Sequence, residues 1–284
     1  MYLALAVGFL ITAKPFPFLA QVSGTTGSNT HKDLLTDPSP VFDSKAHHPL
    51  ATVVPWSPGE RIEYNVKVGA FSAGNAHMAV IGVDSIRGEP SYHVQMAIRG
   101  SFLYGAAQIN NLYDSWIDTG LITTRRYIRD IHELNYKSYR QYEFYPEKMY
   151  WERIDNGESG ELPTALPLDD IAFVYYVRTL PLEIGQTYTV SRYFKEEGNP
   201  VIIKVERKEI LETPVGIFNT IVVRPVIKTR GLFSQGGDAE LHFTDDENRY
   251  LVYLRSKIPI VGSVTLHVQS ITPGNPIHIG TSGF

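Results

Sequence analysis

Hydrophobic and polar positions alternate with a period of two through most of residues 55–271. The clearest segment is residues 61–70, where every even-numbered position is apolar or aromatic and positions 61, 63, 65 and 67 are polar. Such alternation is typical of β-strands that bury one face. Less strict alternation predicts further strands at 76–84, 91–99, 140–145, 148–154, 187–194, 201–211, 218–226, 239–244, 250–256 and 263–270.

Turn-forming residues separate these segments, among them Asn156-Gly157, Gly236-Gly237 and the acidic run at 245–248. Short strands joined by tight turns indicate an antiparallel meander. A sheet of about ten strands usually curls or closes, because large open sheets twist and leave unpaired edges. We therefore expect an all-β fold, with the meander forming a curved sheet, half-barrel or barrel of about ten strands and one or two short helices.

One segment has helical spacing instead, with apolar residues at 171, 174 and 175 and the next position of that face at Arg178. Asp169 or Asp170 is suited to cap its N-terminus, where a negative charge also favours the helix dipole. A single amphipathic helix among strands would plug the mouth of a barrel or lie in a concave face. A weaker signal predicts a second helix at residues 105–111.

The N-terminal thirteen residues form a continuous apolar run, too short to span a bilayer and typical of a signal peptide. No basic residue precedes the run, so a buried N-terminal strand remains the alternative. We expect a signal peptide at 1–20, a disordered linker at 21–54, a β-barrel-like domain at 55–271 and a flexible tail at 272–284. The chain would then be exported to the periplasm or cell envelope, with no transmembrane span in the mature protein.

Composition excludes several classes of protein. The net charge is −4 and the basic residues are dispersed, so the electrostatic signature of a nucleic-acid-binding protein is missing. The chain has no cysteine, which excludes disulfides, thiolate metal sites and a cysteine nucleophile. Its 17 tyrosines favour strands, because tyrosine suits pleated, half-buried surfaces.

Several motifs, taken in order, resemble a bacterial exported-protein family known as domain of unknown function 3108. The resemblance implies an all-β envelope protein, and the family supplies no catalytic residue to carry over. It covers nearly the whole predicted domain. The motifs are PGERIEY at 58–64, Gly69 and Gly74, DSWID at 114–118, LDD at 168–170, YYVR at 175–178, LEIG at 182–185, TPVGIFNT at 213–220, TDDENR at 244–249 and SKIPIVGS at 256–263.

No motif for catalysis, metal binding or a cofactor stands out. Carboxylates occur at 114, 118, 169, 170, 245 and 246, and a glycosidase-like pair would require two of them to face each other. A helix cap at 169–170 and a hairpin turn at 245–246 explain four of these without catalysis. The histidines of the predicted strands show no ligand spacing, and no nucleophile elbow or phosphate loop is present. We predict no catalytic residue, no metal and no cofactor.

Aromatic residues provide a different kind of candidate site. Tyr142 and Phe144 share one strand face, and Phe173, Tyr176 and Arg178 lie on the predicted helix. Aromatic side chains lining a concavity suit a lipid or another apolar ligand. They equally suit a plain hydrophobic core.

Basic residues at 125, 126, 129, 137 and 140 lie nearby in sequence. They would either contact anionic headgroups or cell-wall polymers, or form a solvated face. Three functions stay open: a non-catalytic envelope protein that binds a lipid or other amphipathic small molecule, a structural envelope protein without a ligand, and a carboxylate-dependent hydrolase of envelope glycan. The sequence does not identify an envelope protein partner.

Overall fold

The computed structural model describes residues 35–36, 53–102, 107–133, 135–226, 239–258 and 262–275. The predicted signal peptide, most of the predicted linker and most of the predicted tail lie outside these residues. Within the linker segment, Leu35–Thr36 pairs in parallel with the strand at Thr187–Val190. No helix of the described residues is long and apolar enough to cross a membrane.

The described chain folds into one sheet of 15 strands, which confirms the predicted all-β class although the strand number is higher. The strands are β1 (Leu35–Thr36), β2 (Arg61–Val68), β3 (Phe71–Ile86), β4 (Glu89–Phe102), β5 (Ala107–Asp118), β6 (Thr124–Glu133), β7 (Tyr136–Tyr145), β8 (Tyr150–Arg153), β9 (Ser159–Glu161), β10 (Thr187–Val190), β11 (Val201–Thr213), β12 (Gly216–Val226), β13 (Ala239–Thr244), β14 (Leu251–Ile258) and β15 (Gly262–Thr272). Their order across the sheet is β1-β10-β11-β12-β13-β14-β15-β2-β3-β4-β5-β6-β7-β8-β9, and apart from the parallel first pair, neighbouring strands are antiparallel.

The helix predicted at 105–111 is wrong, because Ala107–Asp118 forms strand β5 in register with β4 and β6. Polar side chains on its inner face, Asn111 and Ser115, interrupt the apolar alternation that would have indicated a strand. Strand β6 was also missed, for the same reason: Arg129 and Glu133 occupy inward, buried positions on it.

The predicted helix forms over Asp170–Thr179 (α1) and lies against the inner face of the sheet, in contact with β4 and β5. It is buried on all sides rather than amphipathic, since every residue from 171 to 178 is buried. A helix enclosed in this way belongs to the interior of the fold. The core forms between α1 and the inward positions of the curved sheet.

In β3, the close approach of a neighbouring backbone requires glycine at position 74. Gly74 pairs with Gly100 of β4, and a Cβ atom on Gly74 would lie 2.1 Å from the carbonyl oxygen of Arg99. No side chain fits at that distance. Glycine is therefore required where β3 bends beside its neighbour.

Candidate ligand site on the inner face of the sheet

The N-terminus of α1 is held by a buried carboxylate. Asp169 Oδ1 accepts the backbone N–H groups of Ile171 (2.8 Å) and Ala172 (3.0 Å), which satisfies two of the free donors of the first turn. Its other oxygen accepts the hydroxyls of Ser115 (2.6 Å) and Thr124 (2.8 Å). Burial raises the pKa of Asp169 to about 6, and these hydrogen bonds oppose the rise. The cap therefore ties α1 to strands β5 and β6.

The next carboxylate, Asp170, is bound by two tyrosines. The hydroxyl of Tyr127 on β6 donates to Oδ2 at 3.0 Å, and the hydroxyl of Tyr193 donates to Oδ1 at 3.0 Å. Both rings are buried, and burial raises the pKa of each hydroxyl well above its usual value. The two tyrosines remain protonated donors at neutral pH, and they occupy both oxygens of Asp170.

A row of paired residues crosses the inner face beside these groups. Tyr113 of β5 lies directly opposite Arg129 of β6, which lies opposite Arg140 of β7. In the other direction Tyr113 lies opposite Met96 of β4, and Met96 opposite Met78 of β3. Directly paired residues share a face of the sheet. This inner row is therefore apolar at its methionine end and basic at its arginine end.

Arg129 is the most unusual member of the inner row. It is 4% exposed, and its guanidinium carbon lies 5.9 Å from the centroid of the Tyr113 ring. Within the described residues, neither Arg129 Nε nor the Tyr113 hydroxyl has a hydrogen-bond partner. Buried polar groups are almost always paired, so two unpaired groups side by side call for an explanation.

At the C-terminus of α1, Arg178 forms a buried ion pair with Glu60, the residue before β2. Its Nη1 and Nη2 donate to the two carboxylate oxygens at 2.6 and 2.9 Å. Nη2 also donates to the carbonyls of Pro55 (3.1 Å) and Asn248 (2.8 Å). Arg178 therefore joins the helix to the segment before β2 and to the turn between β13 and β14.

Three aromatic rings surround the same guanidinium. Their centroids lie 5.3–5.8 Å from the guanidinium carbon, and they belong to Trp56, Tyr175 and Tyr250. Each is close enough for a cation–π interaction. Both Nη donors and the faces of the guanidinium are occupied in this way, while Nε has no hydrogen-bond partner among the described residues. Arg178 therefore acts as an internal connector of the described fold.

Two of the expected ligand residues form an aromatic wall on β7. Tyr142 and Phe144 are 2% and 0% exposed, and their ring centroids lie 6.2 Å apart. Phe194 packs edge-on against both, at 5.4 Å from each. The sequence correctly placed the pair on one face. The wall is closely packed against Phe194.

The remaining two expected residues lie on other sides of α1. The Tyr176 ring lies 4.6 Å from the guanidinium carbon of Arg192. Phe173 borders an apolar cavity of about 10 Å³, lined also by Val174 and Val177 of α1 and by Val223, Pro225 and Leu241 of β12 and β13. The structure thus encloses all five expected residues in one interior, in separate environments: the wall, the cavity, the Arg192 contact and the Arg178 ion pair.

The basic residues near β6 separate into two groups. Arg126 faces outward and pairs with Glu143, and Arg125 donates to Asp118 at 2.8 Å. Arg129 does not belong to a solvated face. The buried neighbours at 127 and 131 in the same strand were the sequence signal that position 129 points inward.

The carboxylates considered for catalysis have structural partners. On the outer face, Asp114 lies 2.8 Å from His93 Nε2, and Asp118 caps the turn after β5 and pairs with Arg125. Asp246 closes the turn after β13 by accepting a hydroxyl and two backbone N–H groups. Together with the two helix carboxylates, these groups stabilise turns, strands and caps.

Comparison with known protein families identifies one that the sequence matches. The family described as protein of unknown function (DUF3108) matches residues 63–269. No curated protein sequence matches the chain.

Among solved structures, a β-barrel-like protein of domain of unknown function DUF1849 from Brucella abortus is similar in fold. Its TM-score is 0.51 at 9% sequence identity, covering 78% of this chain and 100% of that one. The hypothetical protein CT021 from Chlamydia trachomatis has a TM-score of 0.35 at 10% identity, covering 80% and 96% of the two chains. Of these two structures, the Brucella abortus protein has the TM-score above 0.5, and at 9% identity its likeness concerns the fold alone.

Proposed function

This chain belongs to the family described as protein of unknown function DUF3108, and we propose that it is an exported, non-catalytic protein that binds an amphipathic ligand on the inner face of its curved sheet. The apolar run at residues 1–13 supports export to the periplasm or cell envelope. The fold supports binding in general terms, because curved sheets commonly hold ligands in their concave face. The inner row and the aromatic wall supply the specific argument.

The observation that carries the proposal is the unpaired polar pair Arg129 and Tyr113. The buried guanidinium of Arg129 stays charged, and leaving its Nε donor without an acceptor costs folding free energy. A polar group of a bound molecule would remove that cost. The methionine end of the inner row would contact the apolar part of the same molecule.

Space for an acyl chain has to be created when the ligand binds. The cavity between α1 and strands β12 and β13 has a volume of about 10 Å³, room for about one water molecule. No residue of the inner row lines that cavity, so we expect a ligand on the row to move α1 away from β4 and β5, the strands that it contacts. Helix α1 would stay anchored at Asp169 and Arg178 while its side toward β4 and β5 opens.

A structural envelope protein without a ligand is the second candidate. The small cavity and the close packing of the aromatic wall favour it, since both describe a filled interior. The hydrolase hypothesis has less support, because the carboxylates that would form its catalytic pair are engaged in caps and turns. The two leading candidates differ in one measurable property, the presence of a bound small molecule.

Native mass spectrometry of the full chain, expressed with export in a bacterial host, tests the proposal. A stoichiometric mass increment that disappears after extraction with organic solvent, and whose extract contains an amphiphile, is the expected result. The same chain, expressed without the apolar N-terminal run and therefore without export, is the control for adventitious host lipid. An apo mass that does not shift when a panel of lipids is added would reject ligand binding and leave the structural role.

A further inference from the structure

The inner row places two arginines opposite each other on neighbouring strands. Arg129 and Arg140 are a direct cross-strand pair, and like charges in that arrangement repel. Arg129 is buried and Arg140 is half-buried. The two side chains bring positive charge to the same end of the inner row.

Two carboxylates, those of Asp170 and Glu133, interact electrostatically with Arg129 without forming a direct ion pair with it among the described residues. Both oxygens of Asp170 accept tyrosine hydroxyls at 3.0 Å. Glu133, four residues further along β6, accepts a hydrogen bond from the side-chain amide of Asn111 at 2.6 Å. Among the described residues Arg129 forms no ion pair within 4.0 Å with either, so the Nε donor stays open.

The neighbouring hydroxyl has the right chemistry to assist. Burial raises the pKa of Tyr113, so that its hydroxyl remains a protonated donor at neutral pH. Like Arg129 Nε, it forms no hydrogen bond of good geometry within the described part of the chain, and the neighbouring Arg129 guanidinium opposes the rise of its pKa. A cationic N–H donor beside a free hydroxyl donor matches an oxyanion, and charge-assisted bonds of this kind are the strong ones.

We propose that Arg129 and Tyr113 form an oxyanion site that binds the acidic head group, a carboxylate or a phosphate monoester, of the amphipathic ligand. This inference rests on the proposed function and adds the chemical class of the ligand. Met96 and Met78, next in the inner row, place the alkyl chain on the apolar side of the head group. Arg140 adds positive charge on the other side.

Binding of four probes to the full-length protein tests the site: sodium dodecanoate, dodecyl phosphate, the uncharged dodecanol, and inorganic phosphate. Isothermal titration calorimetry would be done on the wild type, Arg129→Met, Tyr113→Phe and Arg126→Met. Arg126 is the matched control, because it is an arginine of the same strand that faces outward and pairs with Glu143. Thermal melting without a probe establishes that each variant folds.

We expect the two acidic probes to bind the wild type and to bind Arg129→Met about 10- to 100-fold more weakly, as for the loss of hydrogen bonds to a charged group. Tyr113→Phe should weaken binding about 3- to 10-fold, and Arg126→Met should change it less than about twofold. Dodecanol should bind wild type and Arg129→Met alike. Without a probe, Arg129→Met removes a buried donor that has no acceptor, but also the favourable interaction of the guanidinium with Asp170, so it should melt close to the wild type.

Unchanged binding of the acidic probes to both Arg129→Met and Tyr113→Phe, or an equal loss in Arg126→Met, would overturn the inference. If Arg129→Met fails to fold, Tyr113→Phe alone decides. Preference of the wild type for dodecanol would also overturn the oxyanion site while leaving the proposed function intact. Inorganic phosphate that binds as tightly as dodecyl phosphate, and only when Arg129 is present, would support the oxyanion site and reject the amphipathic ligand.

Discussion

Replacing Glu60 by glutamine should destabilise the protein strongly, because it leaves the Arg178 guanidinium buried without a counter-charge. The two side chains are 3% and 2% exposed, and their carboxylate and guanidinium groups meet through two bonds of 2.6 and 2.9 Å. Removing one partner of a buried ion pair typically costs about 3–5 kcal/mol. Glutamine retains one acceptor oxygen, so we expect the lower part of that range.

Urea unfolding and thermal melting measure this cost. For a domain of this size, 1 kcal/mol corresponds to about 2–4 °C, so a loss of about 3 kcal/mol should lower the melting temperature of Glu60→Gln by about 6–12 °C. Glu63→Gln is the matched control: Glu63 pairs with Arg61 at 3.0 Å, but the two side chains are 51% and 40% exposed. An exposed pair contributes about 0–1 kcal/mol.

A second replacement separates the charge effect from the loss of contacts. Glu60→Gln combined with Arg178→Met removes the uncompensated charge and should recover part of the stability lost by Glu60→Gln alone. A Glu60→Gln variant that loses less than about 1 kcal/mol, like its Glu63 control, would refute the reasoning. It would mean that water reaches Arg178 and that α1 is not held by this ion pair.

Three further predictions concern the other contacts of the helix and the sheet. Burial raises the pKa of Asp169 from 3.8 to about 6, so the wild type should lose up to about 3 kcal/mol of stability as the pH rises from 4 to 7. Urea unfolding of Asp169→Asn should lack that loss, and identical pH profiles of the two proteins would contradict this assignment. Ser115→Ala, which removes a 2.6 Å hydrogen bond to Asp169, should cost about 1–3 kcal/mol in the same assay, and a neutral effect would count against the buried cap. Gly74→Ala should cost more than about 2 kcal/mol of stability, because its Cβ would lie 2.1 Å from the carbonyl oxygen of Arg99. Gly82→Ala is the control: the space around Gly82 is open, so stability should change by less than about 1 kcal/mol. Equal effects of the two substitutions would argue against the close approach of the backbones.

The sequence was sufficient for the parts of the fold where one face of a strand is purely apolar. The alternation in β2 and the helical spacing after Asp169 are of this kind, and both elements are present. The pattern failed at β5 and β6, where Asn111, Ser115 and Arg129 occupy inward positions. A polar residue at an inward position breaks the alternation on which strand prediction depends.

The candidate site depended on contacts that local patterns do not contain. Glu60 and Arg178 are 118 residues apart in sequence, and only the packing of α1 against the segment before β2 brings them together. Arg129 was grouped with neighbouring basic residues because they share sequence proximity. Its inward position follows from the register of β6 with β5, which sets the face on which it lies.

A crystal structure of the full chain purified from an exporting host would test the central claim most directly. The account predicts an oxygen atom of a non-protein molecule within about 3 Å of Arg129 Nε and of the Tyr113 hydroxyl, with an alkyl chain running toward Met96 and a wider gap between α1 and β4. Water or protein atoms alone at both donors, with the aromatic wall and the cavity unchanged, would contradict it.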